Sequence, residues 1–340
     1  RSISSGGSHT RPPGYTIWRA IIPRIRVTVP ITLADIEAAR ARIAGLVRPT
    51  PVIEAAPARA PLPGRVALKL ECLQVTGSFK PRGAINALRS LAAADAARGL
   101  VTASGGNHGL AVAYAGHVAG VPATIFLPTT VAPAKVDKLR AWGAEPVLVG
   151  EVWDDSNAAA LAHVAAKGGT YIHPFADPRV MAGQGTLGLE LLEQLPDADT
   201  LLVAIGGGGL IAGAATAAKA VKPGIRIVGI EPVGAATLYE SRLAGRVVTL
   251  PRIDTAAVTL APRASHPDTF ALVQRHVDDI VLVDDAAMRE AARWLWFEHN
   301  VAAELAGAAA VAALMTAAYR PARDERVAAI VCGVGTDGLA

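Results

Sequence analysis

From residue 99 onward, short apolar runs alternate with longer helix-period stretches, and Gly or Pro separates them. Strand-like runs fall at 99–103, 122–127, 145–149, 170–172, 200–204, 225–230, 280–283 and 326–331. Apolar spacing of three and four marks helices at 110–120, 133–142, 154–166, 209–221, 235–243, 285–298 and 303–318. Parallel strands need crossover connections, and a helix is the usual one. The alternation therefore predicts an α/β chain whose mostly parallel sheet is covered by helices through right-handed crossovers. Residues 174–188 read as loop-rich and break the rhythm, so a lobe boundary is expected there. Residues 245–266 carry a weak pattern and are expected to be loop. Ahead of the alternation, Thr32 with Asp35 three places on marks a capped helix start, and Pro49-Thr50-Pro51 ends that helix.

A chain of 340 residues buries a large core and usually forms two lobes. The formal net charge of +4 is scattered, which excludes a nucleic-acid footprint. No apolar run is long and charge-free enough to span a bilayer. The two cysteines, Cys72 and Cys332, are far apart. They exclude a disulfide framework, show no metal-ligand spacing and suit a reducing cytoplasm. Residues 1–30, with Ser5-Gly6-Gly7-Ser8 and the pair Pro12-Pro13, read as a flexible N-terminal extension. The run at 15–22 is broken by Arg19 and is too short for a signal peptide.

Three strand-to-helix junctions carry chemistry. The first is Thr76-Gly77-Ser78-Phe79-Lys80-Pro81-Arg82-Gly83-Ala84. It follows the strand-like run 65–71 and leads into a helix-period stretch, so Lys80 stands where a loop becomes a helix. The first turn of a helix disfavours a cation. That field, with partial burial, lowers a lysine pKa and makes its amine a better nucleophile or base. A surface lysine that happens to precede a helix is the bland alternative.

The second is Gly206-Gly207-Gly208-Gly209, between a strand and a helix. Such a run lets backbone N–H groups point at an anion at the carboxyl end of a parallel strand, which makes a phosphate cradle. Gly207, Gly209 and Ala212 also match the dinucleotide fingerprint, with Glu231 ending the next strand at a suitable distance. A nicotinamide or flavin enzyme is therefore a rival on this motif, and a purely structural glycine turn is a third reading. The third junction is Ser104-Gly105-Gly106-Asn107-His108-Gly109. Small residues there leave N–H groups free for a carboxylate, and Ser104 and Asn107 add side-chain donors. Asn107 could equally be a helix cap, and His108 reads as structural rather than as a proton carrier.

Together these segments resemble the serine/threonine dehydratases, pyridoxal-phosphate enzymes of fold type II, the fold of the tryptophan synthase β-subunit. Pro174-Phe175, Ala182-Gly183-Gln184-Gly185-Thr186 and Glu304-Leu305-Ala306-Gly307-Ala308 add to the resemblance, which covers about residues 33–337. Lys80 and 104–108 stay unexplained on the dinucleotide reading. The resemblance implies two lobes: a large cofactor-binding domain of 31–98 and 177–340, and a small substrate-binding domain of 99–176. It implies that Lys80 forms a Schiff base with pyridoxal 5'-phosphate and, once released, takes the proton from Cα of the substrate. Phe79 then lies on the ring, Asn107 bonds its hydroxyl, and Gly206, Gly207, Gly208 and Gly209 hold the phosphate. Cys332 stands beside the pyridine nitrogen, where a neutral thiol favours β-elimination. Ser104, Gly105, Asn107 and His108 bind the amino-acid substrate. The implied activity is dehydration and deamination of a β-hydroxy-L-amino acid such as serine or threonine, in a homodimer.

Alternatives on the same fold are a racemase, a β-replacement enzyme, or a dehydratase for phenylserine or 3-hydroxyaspartate. Serine racemases of this type carry a serine where this chain has Gly105, which has no proton to give, so racemisation ranks lower. Other departures are Ala256-Ala257-Val258-Thr259-Leu260 in place of a motif with an Asp-Gly or Asp-Ser pair, Gly335 with Thr336 and Asp337 in a C-terminal motif that usually carries an Asn, and Leu305 in place of a proline. They point to a leaving group or substrate other than plain threonine. A divalent-metal site of some relatives is matched only by Glu231 and Ala235, since Thr237 stands where the last carboxylate would be. No regulatory module follows Asp337, so a catabolic role is expected.

Overall fold

The structure is a computed structural model that describes residues 31–339; the N-terminal extension read at 1–30 lies outside the described residues. In chain order the elements are α1 (Leu33–Ile43), β1 (Val52–Glu54), β2 (Arg65–Lys69), α2 (Lys80–Arg89), α3 (Ala93–Ala97), β3 (Leu100–Ala103) and α4 (Asn107–Ala119). Then come β4 (Ala123–Leu127), α5 (Pro133–Ala141), β5 (Glu145–Leu148), α6 (Trp153–Lys167), β6 (Thr170–Tyr171), α7 (Pro178–Gln194), β7 (Thr200–Ala204) and α8 (Gly209–Val221). The remainder is β8 (Arg226–Pro232), α9 (Thr237–Ala244), α10 (Pro267–His276), β9 (Asp279–Val283), α11 (Asp285–His299), α12 (Leu305–Met315) and β10 (Arg326–Ile330).

The strands form two sheets. One has the order β1-β2-β10-β7-β8-β9, the other β5-β4-β3-β6. Every pairing is parallel except that of β1 with β2. Sheets covered on both faces need strands that are apolar throughout. Accordingly β3, β4, β7 and β10 are buried along their whole length. The carboxyl ends of β7 and β3 lead into the glycine loop and the loop from Ser104.

The alternation is read correctly from the sequence, but residues 174–188 are corrected. They are not loop-rich: α7 begins at Pro178, with the Asp177 side chain accepting from the Arg179 N–H, and it runs for 17 residues. Its glycines lower helix propensity, which is why the sequence reads as loop. They serve close packing instead. A Cβ on Gly213 would stand 2.2 Å from the Met181 carbonyl oxygen, and one on Gly183 would stand 2.4 Å from that of Arg82, so α8 and α2 both press directly on α7. Short β1 and α3, and the whole of α10, are further elements that the apolar pattern does not reveal. The 245–266 expectation holds apart from one short turn at Val258–Leu260.

A buried ionic network ties α2 and α7 to β2. Arg82 Nε and Nη2 donate to the two Glu71 carboxylate oxygens at 2.9 and 2.7 Å, and Nη2 also reaches Glu190 at 2.9 Å. Lys69 Nζ donates to Glu190, Gln194 and the Thr50 carbonyl at 2.6, 2.7 and 2.7 Å. The Thr50 hydroxyl bonds to Glu71 as well. Burial lowers the Lys69 pKa. Against the burial that raises it, Arg82 and Lys69 hold the Glu190 carboxyl below its ordinary range. Removing one member of such a network strands the rest in a low dielectric. Arg82→Leu is expected to cost about 3–5 kcal/mol in urea unfolding, whereas an exposed pair such as Arg140 with Asp137 costs under about 1 kcal/mol.

Candidate active site

The segment entering α2 is stitched to the chain after β10. The Phe79 N–H donates to the Cys332 carbonyl at 3.2 Å, and the Val334 N–H donates to Gly77 at 2.7 Å. Ser78 pairs with Gly333 in an isolated bridge. Lys80 is thereby fixed at the first residue of α2, with Pro81 behind it. Its Nζ donates to the Pro174 carbonyl at 2.7 Å and lies 5.1 Å from the Phe79 ring centre. Burial pulls its pKa from 10.5 down to about 8. Cys332 is buried, and its thiol donates to the Ala306 carbonyl at 3.4 Å. Burial pushes the thiol pKa up, so it stays protonated at neutral pH.

The glycine loop lies beneath Phe175. A Cβ on Gly207 would stand 2.2 Å from that ring, and one on Gly209 would stand 2.8 Å from its carbonyl oxygen. Gly208 has φ +92°, which L side chains rarely adopt. Among the described residues the N–H groups of Gly206, Gly207, Gly208 and Gly209 meet no acceptor. Four free donors at the mouth of α8 suit a phosphate and leave a polar debt without one. A side chain at Gly207 or Gly209 would collide with Phe175, whose neighbour Pro174 holds Lys80.

The loop from Ser104 repeats the arrangement on the smaller sheet. Ser104 Oγ accepts the Gly106 N–H at 3.3 Å, while the N–H groups of Gly105, Asn107 and His108 meet no acceptor among the described residues. The His108 side chain points away: its Nε2 lies 3.0 Å from the Ile172 carbonyl, to which it donates. Burial, then the Lys80 charge, lowers its pKa to about 3, so it stays neutral. The His108 contribution left for a ligand is thus its backbone N–H. The Asn107 amide donates to Glu304 at 2.7 Å. Burial raises the Glu304 pKa to about 7.

Sequence reasoning names Glu304 within a motif but gives it no role, and it misses Pro174 and Phe175 as the link between Lys80 and the glycine loop. Thr259 is singled out there only as a departure. In the structure its carbonyl would stand 2.8 Å from a Cβ on Gly206, and its methyl 3.8 Å from one on Gly106. One exposed turn thus touches both loops. No spacing signals these contacts, because they join residues more than 30 positions apart.

Glu231 is engaged within the protein. Its side chain is fully buried, and both carboxylate oxygens accept backbone N–H groups, from Leu238 at 2.8 Å and Tyr239 at 2.7 Å. It is not free to hold a ribose. Among the described residues no group of three or more His, Cys, Asp or Glu is placed to hold a metal. No described helix is long and apolar enough to cross a membrane.

A half-buried, neutral-prone amine flanked by two sets of N–H donors that are free among the described residues fits a phosphorylated aldehyde together with a carboxylate substrate. Comparison with known proteins agrees. The family described as pyridoxal-phosphate dependent enzymes matches over residues 43–333. L-threonine ammonia-lyase of Thermotoga maritima is 36% identical over 307 residues, which are 90% of this chain and 76% of that protein. L-threonine ammonia-lyase of Geobacter sulfurreducens is 43% identical over 247 residues, 73% of this chain and 61% of that protein, so the chain spans under two thirds of this relative's length. The solved structure of maize serine racemase matches with a TM-score of 0.85 at 34% identity, covering 90% of this chain and 94% of that one. The chain belongs to the fold type II pyridoxal-phosphate-dependent enzymes, among the relatives of the serine/threonine dehydratases.

Proposed function

We propose that this protein is an ammonia-lyase that eliminates the β-hydroxyl of a β-hydroxy-L-amino acid such as serine or threonine. The hydroxyl leaves as water, and water taken up afterwards releases a 2-oxo acid and ammonia. The single observation that carries this is the Lys80 amine, half-buried at the start of α2 between two clusters of N–H groups that have no partner among the described residues. The six-stranded sheet, with 31–98 and 177–340, is read as the cofactor-holding domain, and the four-stranded sheet, with 99–176, as the substrate-holding domain. Cytoplasmic residence and a homodimer complete the reading; two free, buried cysteines suit the first, and the family resemblance supports the second.

Lys80 would hold the aldehyde of pyridoxal phosphate, Gly206, Gly207, Gly208 and Gly209 its phosphate, Phe79 one face of its ring and Asn107 its hydroxyl. The bound cofactor supplies an electron sink for the charge left when Cα loses its proton. The residues of the chain do the rest. The N–H groups of Gly105, Asn107 and His108, with the Ser104 hydroxyl, orient the substrate carboxylate. The Lys80 amine, neutral above about pH 8, takes the Cα proton. The Cys332 thiol stays protonated and offers the ring nitrogen no charge partner, which favours quick expulsion of a β-substituent.

On the face of Gly105 the neighbours are apolar: a Cβ there would meet Val131 at 3.0 Å and Leu127 at 3.8 Å. Neither neighbour carries a proton to transfer, which supports elimination over racemisation. Lys80→Ala is expected to remove the visible absorbance of the cofactor-loaded protein and to lower turnover at least about a hundredfold. Wild type should release 2-oxo acid from at least one of serine, threonine, phenylserine and 3-hydroxyaspartate. D-serine formed from L-serine faster than pyruvate would reverse the ranking. The Lys80 pKa sets a second expectation. The rate at which cofactor-free protein takes up pyridoxal phosphate should rise with pH to a midpoint near 8; a midpoint near 10.5 would mean that the amine is not desolvated.

A further inference from the structure

Glu231, at the end of β8, is a fully buried carboxylate that the reaction does not use. Its two oxygens accept the Leu238 and Tyr239 N–H groups at 2.8 and 2.7 Å, and so cap the first turn of α9. Thr237, which opens α9, turns its hydroxyl to the Pro262 carbonyl at 2.7 Å. The Leu238 side chain is fully buried and forms the floor under the glycine loop: a Cβ on Gly208 would stand 2.7 Å from its Cδ1. Thr269 of α10 closes the same floor, with its methyl also 2.7 Å from that Cβ. Any shift of the first turn of α9 therefore moves Leu238 against a loop with no side chains to absorb the change.

We infer that Glu231 is a positioning residue for the phosphate-binding loop, that it acts by fixing Leu238 beneath Gly208, and that it does so without a divalent cation. Each Glu231 oxygen already accepts a backbone N–H, and Thr237, which stands where relatives place a further carboxylate, supplies no second negative charge to balance a divalent ion. The clasp replaces the ion. This rests on the reading of residues 206–209 as the cofactor's phosphate site. A glutamine at 231 keeps the shape but has one acceptor oxygen, so one of the two amides would face an N–H₂ group.

The test is a fluorescence titration of cofactor-free protein with pyridoxal phosphate, paired with turnover at saturating cofactor. Glu231→Gln is expected to raise the cofactor Kd about tenfold while kcat changes less than about twofold. Leu238→Val, which removes one methylene, should show the same split to a smaller degree and serves if the first variant fails to fold. Wild-type Kd and melting temperature should not respond to EDTA, Mg²⁺ or Ca²⁺. A yellow wild type whose Kd is unchanged in both variants overturns the inference alone, as does a wild type that tightens on adding Mg²⁺ or Ca²⁺. A lower melting temperature with unchanged Kd marks a merely structural role and overturns it too. A wild type that binds no pyridoxal phosphate overturns both this inference and the reading beneath it.

Discussion

The Arg82 guanidinium, held between Glu71 and Glu190, fixes the helix that carries Lys80 two residues earlier. A lysine that must lose its proton near neutral pH has to sit where water is scarce, and its own carrier must not drift. Ionic contacts in such surroundings are costly to assemble but costlier to break. They therefore suit a place where geometry matters more than net stability. Lys69 and Thr50 extend the network to β2, so the first turn of α2 is referenced to the sheet and to α7 at once.

Around that fixed amine the site is built from backbone. The glycine loop and the loop from Ser104 both end a parallel strand and begin a helix, and each leaves N–H groups without partners among the described residues. Such donors cannot swing away as side chains can, and each set faces the positive end of its helix. The two loops come from different sheets, joined at the site by the turn at Thr259, by Asn107 on Glu304 and by the Pro174-Phe175 segment. A neutral thiol at Cys332 and a neutral imidazole at His108 leave the base role to the Lys80 amine, whose pKa is lowered to about 8. Elimination needs one base and one sink, and the nearest neighbours of a Cβ on Gly105, Val131 and Leu127, are apolar.

Much of this is legible in the sequence because it is local. A βα alternation, a lysine at a loop-to-helix boundary and four consecutive glycines all declare themselves within a short window. The misses share a different cause. α7 hides because Gly183 and Gly185 are chosen for contact with α2 and α8, not for helix propensity. Glu231 misleads because an acidic residue after a strand fits a ribose contact, a metal ligand or a helix cap equally well, and the choice depends on where the Leu238 and Tyr239 amides lie. Glu304 and Phe175 acquire roles through partners more than 30 residues away in the chain, which no spacing rule encodes.

The central claim is that one amine, Lys80, both anchors the cofactor and performs the chemistry. Its most direct test is to load the protein with pyridoxal phosphate, reduce with borohydride, digest and locate the pyridoxyl group by mass spectrometry. A single adduct on Lys80 is predicted, lost when excess amino-acid substrate is present during reduction. An adduct on another lysine, or an adduct on Lys80 that substrate never displaces, would contradict it.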